Sequence, residues 1–194
     1  NMANENKVTY LKDYKQPDFW IKHADLEFDL QDGETFVTAT LKVERNGNHT
    51  NPLVLDGEEL ELLEIEQDGV ALGKAAYEEK GDKLTVHIAD DSFELKTKVR
   101  IVPEENTELS GLYKSGGNWC TQCEAEGFRR ITYFIDRPDN MATFTTKVIA
   151  DEKEAPVLLS NGNEIDSGTM PDGRHFTTWE DPFPKPCYLF ALVG

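Results

Sequence analysis

The chain has 194 residues, of which 38% are hydrophobic and 10% aromatic, enough apolar material for one folded domain and too much for a disordered chain. Thirty-seven acidic residues against 20 basic ones give a formal charge of −17. That charge repels phosphate backbones and anionic lipid, so nucleic acid and membrane are excluded as expected partners; solubility explains it without further function, although a negative field also attracts cationic peptides.

Apolar residues alternate with polar ones in segment after segment, which is the signature of half-buried strands. Leu26, Phe28 and Leu30 face one way, with Asp25, Glu27 and Asp29 opposite. Val37, Ala39, Leu41 and Val43 follow with Thr38, Thr40 and Lys42 between them. Leu60 to Ile65 changes phase between Leu62 and Leu63, predicting a bulge or a strand covered on both faces. Leu84, Val86 and Ile88 form another strand. Phe93, Leu95, Val99 and Ile101 form the next, against Glu94, Lys96, Lys98 and Arg100. Phe128, Ile131 and Ile135 fall at helical spacing, so one short amphipathic helix is expected near residues 127–137, ended by Pro138. Phe144, Thr146, Val148 and Ala150 give a later strand.

Turn pairs separate these segments: Asp32-Gly33, Asn46-Gly47, Asp56-Gly57, Asp68-Gly69, Gly81-Asp82, Asn161-Gly162 and Asp172-Gly173. The fold class is therefore all-β, a large twisted antiparallel saddle or sandwich occupying residues 1–194 as a single domain. The proline-rich stretch Asp181 to Pro186 reads as a rigid extended lead-in. Cys187 to Val193 is continuously apolar, as expected of a strand buried on both faces. Such a strand beside the last residue is expected to mark a domain boundary within a longer protein.

Complete catalytic sets are missing from the sequence. None of His23, His49, His87 and His175 begins an H-E-x-x-H arrangement, and His49 and His87 read as surface residues. Cys120 and Cys123 have the spacing of half a metal or redox site, but only Cys187 remains to complete a set, so ordinary thiols are expected. The odd cysteine number, with no basic-then-apolar leader and no membrane-length apolar run, leads to an expected cytoplasmic setting.

One run stands out: Trp119 to Pro138, WCTQCEAEGFRRITYFIDRP. In an extended stretch Gln122 and Glu124 project to the same side. Two acceptors offered from one loop suit a ligand rich in N–H donors, above all an ammonium group. By residue chemistry alone the alternative stays open that Glu124 and Glu126 merely place negative charge near the start of the expected helix.

The same run resembles the amine-anchoring loop of the aminopeptidase N family of zinc exopeptidases, and further blocks resemble that family's amino-terminal domain in the same order. They are Tyr10-Leu-Lys-Asp-Tyr14, the strand from Pro17 to Leu30, Gly111-Leu-Tyr-Lys-Ser115, Thr121-Gln-Cys-Glu124, Gly127-Phe-Arg129, Asp136-Arg-Pro-Asp139, Phe144-Thr-Thr-Lys147, Leu158 to Asn163 and Asp181 to Leu192. The resemblance implies a β-saddle lying against a separate catalytic domain that carries the single zinc, its H-E-x-x-H helix and a G-A-M-E-N strand. It implies that Glu124 receives the free α-ammonium of a peptide substrate and that Gln122 borders the same pocket. This chain would then hold no catalytic residue and no metal, and would be inactive alone; its partners would be the amino-terminally free peptide and its own catalytic domain. That reading also expects an apolar face where the catalytic domain docks. The rival from another class is a free-standing all-β module that binds a peptide or protein.

Overall fold

The computed structural model describes residues 14–124 and 126–194. The Tyr10–Tyr14 block therefore lies outside the described residues except for Tyr14. Among the described residues fifteen strands run in chain order: β1 (Phe19–Gln31), β2 (Glu34–Arg45), β3 (Leu53–Asp56), β4 (Glu61–Gln67), β5 (Val70–Ala71), β6 (Tyr77–Lys80), β7 (Lys83–Val86), β8 (Ser92–Ile101), β9 (Gly111–Ser115), β10 (Asn118–Gln122), β11 (Ala142–Asp151), β12 (Leu159–Ser160), β13 (Asn163–Thr169), β14 (Arg174–Lys185) and β15 (Leu192–Val193).

They form an eight-stranded sheet in the order β13-β14-β11-β1-β2-β8-β4-β5, a four-stranded sheet β12-β15-β10-β9 and a three-stranded sheet β3-β7-β6. The two small sheets cover one face of the large one. The alternation read from the sequence supplies that face: Leu26, Phe28 and Leu30 of β1, Val37 to Val43 of β2, Phe93 to Ile101 of β8 and Phe144 to Ala150 of β11 are buried in one continuous core. Leu53 and Leu55, Leu84 and Val86, Leu112 and Trp119 close it from the small sheets. On the other face of the large sheet Glu27, Thr38, Lys98 and Lys147 lie in one cross-strand row, each only partly buried.

Three local features refine the sequence expectation. The large sheet is mixed: β1 pairs with β11 in parallel, from His23 opposite Thr143 to Asp29 opposite Ile149. A parallel pair needs a long crossover, and here the connection runs through β2 to β10, which include the whole three-stranded sheet and the β9-β10 half of the four-stranded one. The phase change in β4 is a bulge, with register shifting between Leu62 and Glu64. A second bulge follows Ile21 in β1, which lets Ile21 and Ala24 both face the core although they stand three residues apart.

The expected helix shrinks to a single 3-10 turn, Phe128–Arg130. Phe134 pairs with Asp56 of β3 instead: its carbonyl accepts from the Asp56 N–H at 2.8 Å and its own N–H donates back at 3.1 Å. Two long-range backbone bonds and a buried ring outweigh the local helical preference. The carboxyl-terminal run is likewise not one strand buried on both faces. Cys187–Leu189 is another 3-10 turn, and Cys187, Phe190 and Leu192 are buried while Tyr188, Leu189 and Val193 are exposed.

Candidate functional site

Strands β9 and β10 form a hairpin whose turn, Gly116-Gly117, has positive φ at both positions (58° and 85°). That is the geometry that favours glycine and matches the twist of the flanking strands. The hairpin is fastened to the carboxyl-terminal segment: Trp119 and Gly194 exchange backbone hydrogen bonds at 2.8 and 3.0 Å. Trp119 is buried beneath the Lys114 ammonium, which lies 4.0 Å from its ring centroid.

Strand β10 ends at Gln122, and the chain then folds into a closed turn. The Gly127 N–H donates to the Cys123 carbonyl at 3.1 Å. Gln122 and Glu124 are both exposed, with Cys123 buried between them. Both sequence-predicted residues are thus exposed, and the structure adds a bond between them. The Gln122 side-chain Oε1 accepts from the Glu124 backbone N–H at 3.1 Å. One of the two expected acceptors is therefore used within the loop, and the Glu124 carboxylate is the group left facing outward.

Beneath this turn the packing is tight. A Cβ on Gly127 would lie 2.4 Å from the Gln122 carbonyl oxygen and 2.9 Å from the Cys123 Cα, so only glycine fits. Phe128 is fully buried, edge-on to Phe134 at 4.9 Å and to Phe190 at 5.3 Å between centroids. Arg129 then makes the charged contacts. Its Nε donates to Asp136 Oδ2 at 3.0 Å and its backbone N–H to the same oxygen at 3.1 Å. Its Nη2 lies 3.7 Å from Glu126 Oε1 and 4.0 Å from Asp56 Oδ2. Burial pulls the Arg129 pKa down, but the carboxylates of Asp136, Asp56 and Glu126 together more than offset this and the net shift is upward. With the helix reduced to one turn, Glu126 pairs with Arg129 rather than with a helix terminus.

Asp136 is a buried hub. Its other oxygen, Oδ1, lies 3.1 Å from Cys187 Sγ, and its backbone N–H donates to Asp56 Oδ2 at 3.1 Å. Sequence reasoning did not single out Arg129 or Asp136 as functional; the only signal was their presence in the Gly127–Arg129 and Asp136–Asp139 blocks. The thiols are neither a disulfide nor a ligand set. Burial, with repulsion from Asp136, pushes Cys123 up to about 12, and burial raises Cys187 further still. Among the described residues no group of three or more His, Cys, Asp and Glu is arranged to hold a metal ion.

The histidines lie elsewhere. His87 is exposed. His49 is not the free surface residue expected: its Nε2 is 2.9 Å from the Asp18 carbonyl, and its ring stands edge-on to Phe19 at 5.7 Å. Among the described residues no helix is long and apolar enough to cross a membrane.

The chain is 50% identical over 191 residues to aminopeptidase N of Haemophilus influenzae and 47% identical over 193 residues to that of Escherichia coli K12. These alignments cover 97% and 100% of this chain but 22% of each relative, so the chain spans about a fifth of their length. The fold superposes on the Legionella pneumophila aminopeptidase A complex with aspartic acid at a TM-score of 0.89, with 41% identity over 94% of this chain and 22% of that one. A Deinococcus radiodurans M1 zinc metallopeptidase mutant bound to a Tyr-Ser-Ala substrate shares the fold at a TM-score of 0.76, with 20% identity over 91% of this chain and 42% of that one. The family profile of the Peptidase M1 N-terminal domain matches residues 18–189, and the chain belongs to that family.

Proposed function

We propose that this chain is the amino-terminal domain of a zinc-dependent alanyl-type aminopeptidase, a peptide hydrolase, and that it holds the free α-amine of the substrate. The observation that carries the reading is the closed Cys123–Gly127 turn, which presents the Glu124 carboxylate outward beside Gln122 on a rigid base. A carboxylate about 4 Å from an ammonium gains roughly 4 kcal/mol at an effective dielectric near 20, before desolvation is subtracted. The interior of a peptide has no such charge to offer and would leave Glu124 unpaired. Selection for a chain end therefore originates in this loop, and Gln122 borders the same pocket and shapes it.

Bond cleavage and zinc belong, in this proposal, to the remainder of a longer protein, a reading supported by the chain spanning about a fifth of its aminopeptidase N relatives. Contact with that remainder is supported by exposed apolar residues on the small sheet. Leu159 of β12 and Val193 of β15 stand directly opposite each other and are both exposed. Exposed Leu189 is held close by, its carbonyl accepting from Asn161 Nδ2 at 3.0 Å. A cytoplasmic setting is part of the proposal and is supported by three free cysteines, two of them buried.

The test is hydrolysis of an alanyl chromogenic substrate by the full-length protein, with Glu124→Ala compared against the native residue. The expected fall in kcat/KM is roughly 100-fold, equivalent to about 2.7 kcal/mol, with zinc content unchanged. Unchanged kinetics would reduce Glu124 to a solvated charge and reopen the binding-module reading.

A further inference from the structure

We infer that Asp136 is a positioning residue for the substrate amine, acting through Arg129 to fix the turn that carries Glu124. The inference rests on the reading of Glu124 as the amine anchor and adds the device that aims it.

Glu124 is exposed, and its only described local tether is the backbone bond to Gln122. A side chain on such a loop is placed only as well as the turn beneath it. Contacts made by Gly127, Arg130 and Arg129 fix that turn. Gly127 closes it against the Cys123 carbonyl, and its own carbonyl accepts from the Arg130 N–H at 3.0 Å. Arg129 then braces it from below, reaching Glu126 at the crown with Nη2 and Asp136 in the interior with Nε and its backbone N–H. Asp136 in turn takes Arg129 Nη2 on its own carbonyl at 3.3 Å.

The brace is anchored on elements far apart in sequence. Asp136 receives Cys187 Sγ from the carboxyl-terminal segment, and its N–H meets Asp56 at the end of β3. Asp56 is itself ion-paired to Lys83 of β7. A buried carboxylate with these donors is firmly held, since each bond lost leaves polar groups less satisfied in a low-dielectric interior. The outermost member, Glu126, is exposed and sits at positive φ (71°). For a non-glycine residue that is a strained conformation, held here by the closed turn and the Arg129 contact. The chain thus places a strained, exposed turn on a rigid buried base, an arrangement suited to positioning one carboxylate.

Two competitive hydroxamate inhibitors identical except for the α-amino group, alanine hydroxamate and propionohydroxamate, separate this role from general stability in the full-length protein. The ratio of their inhibition constants reads the amine contact alone. Asp136→Asn keeps the volume and removes the charge, and is expected to lower the amine preference about tenfold while leaving the des-amino inhibitor unchanged. In a Glu124→Ala background the same substitution is expected to have no further effect on the ratio. If Asp136→Asn does not fold, Arg129→Lys serves: it keeps the charge, loses the planar fork, and is expected to lower the ratio about fivefold. Equal weakening of both inhibitors, an unchanged ratio in the folded variant, or the same loss with and without Glu124 would overturn the inference. Should Glu124→Ala itself leave the ratio intact, the anchoring role of Glu124 fails first.

Discussion

The Gln122 side-chain oxygen accepts a hydrogen bond from the Glu124 backbone N–H at 3.1 Å, so the two residues of the loop have different tasks. Gln122 shapes the turn and Glu124 presents the charge. Replacing Gln122 with Leu removes the acceptor and leaves the N–H to water; replacing it with Glu keeps an acceptor of the same length. Gln122→Leu is therefore expected to raise KM for an alanyl substrate roughly fivefold, matching about 1 kcal/mol for one hydrogen bond, and Gln122→Glu to stay within about twofold of native. Steady-state kinetics on the full-length protein decide it; equal losses in both variants would show that the acceptor is not what matters.

Buried thiols give a pH dependence of defined sign. Burial and the Asp136 carboxylate raise Cys123 from its ordinary value of 9.0 up to about 12. The folded state therefore favours the neutral thiol more than the unfolded state does. Its stabilising contribution is complete below about pH 9 and is lost as the pH rises through about 12. Cys187, raised further, adds in the same direction. A maleimide at pH 8 is expected to label half-buried Cys120 promptly and to spare Cys123 and Cys187 until denaturant is added, read by peptide mass mapping. Rapid labelling of Cys123 in the folded protein would contradict this burial.

Strand β8 holds a polar group without a partner. Thr97 is fully buried between Leu95 and Val99, and its Oγ1 has no hydrogen-bond partner among the described residues. Val has the same branched shape without the hydroxyl. Thr97→Val is expected to stabilise the chain by about 1 kcal/mol, seen as a higher urea midpoint with an unchanged slope. A lower midpoint would mean that the hydroxyl is hydrogen-bonded in solution.

The sequence by itself determined most of the large sheet. Alternation along Leu26 to Leu30, Val37 to Val43 and Phe93 to Ile101 leaves one way to bury each strand, because a one-residue slip turns every apolar side chain to water. The bulge in β4 was visible for the same reason, as a break in that alternation at Leu63. The nearness of Gln122 and Glu124 in one loop was legible as well, since it depends only on neighbouring residues. Tertiary structure decided what depends on distant partners. The parallel pairing of β1 with β11 joins residues more than a hundred positions apart, which no local period records. Phe128 to Ile135 has helical spacing, yet Asp56 draws Phe134 into strand pairing and only one turn survives. The base of the candidate site is a result of the same kind. Arg129, Asp136, Asp56 and Cys187 meet only after three separate parts of the chain have packed, and charges are held in a protein interior only where such partners converge.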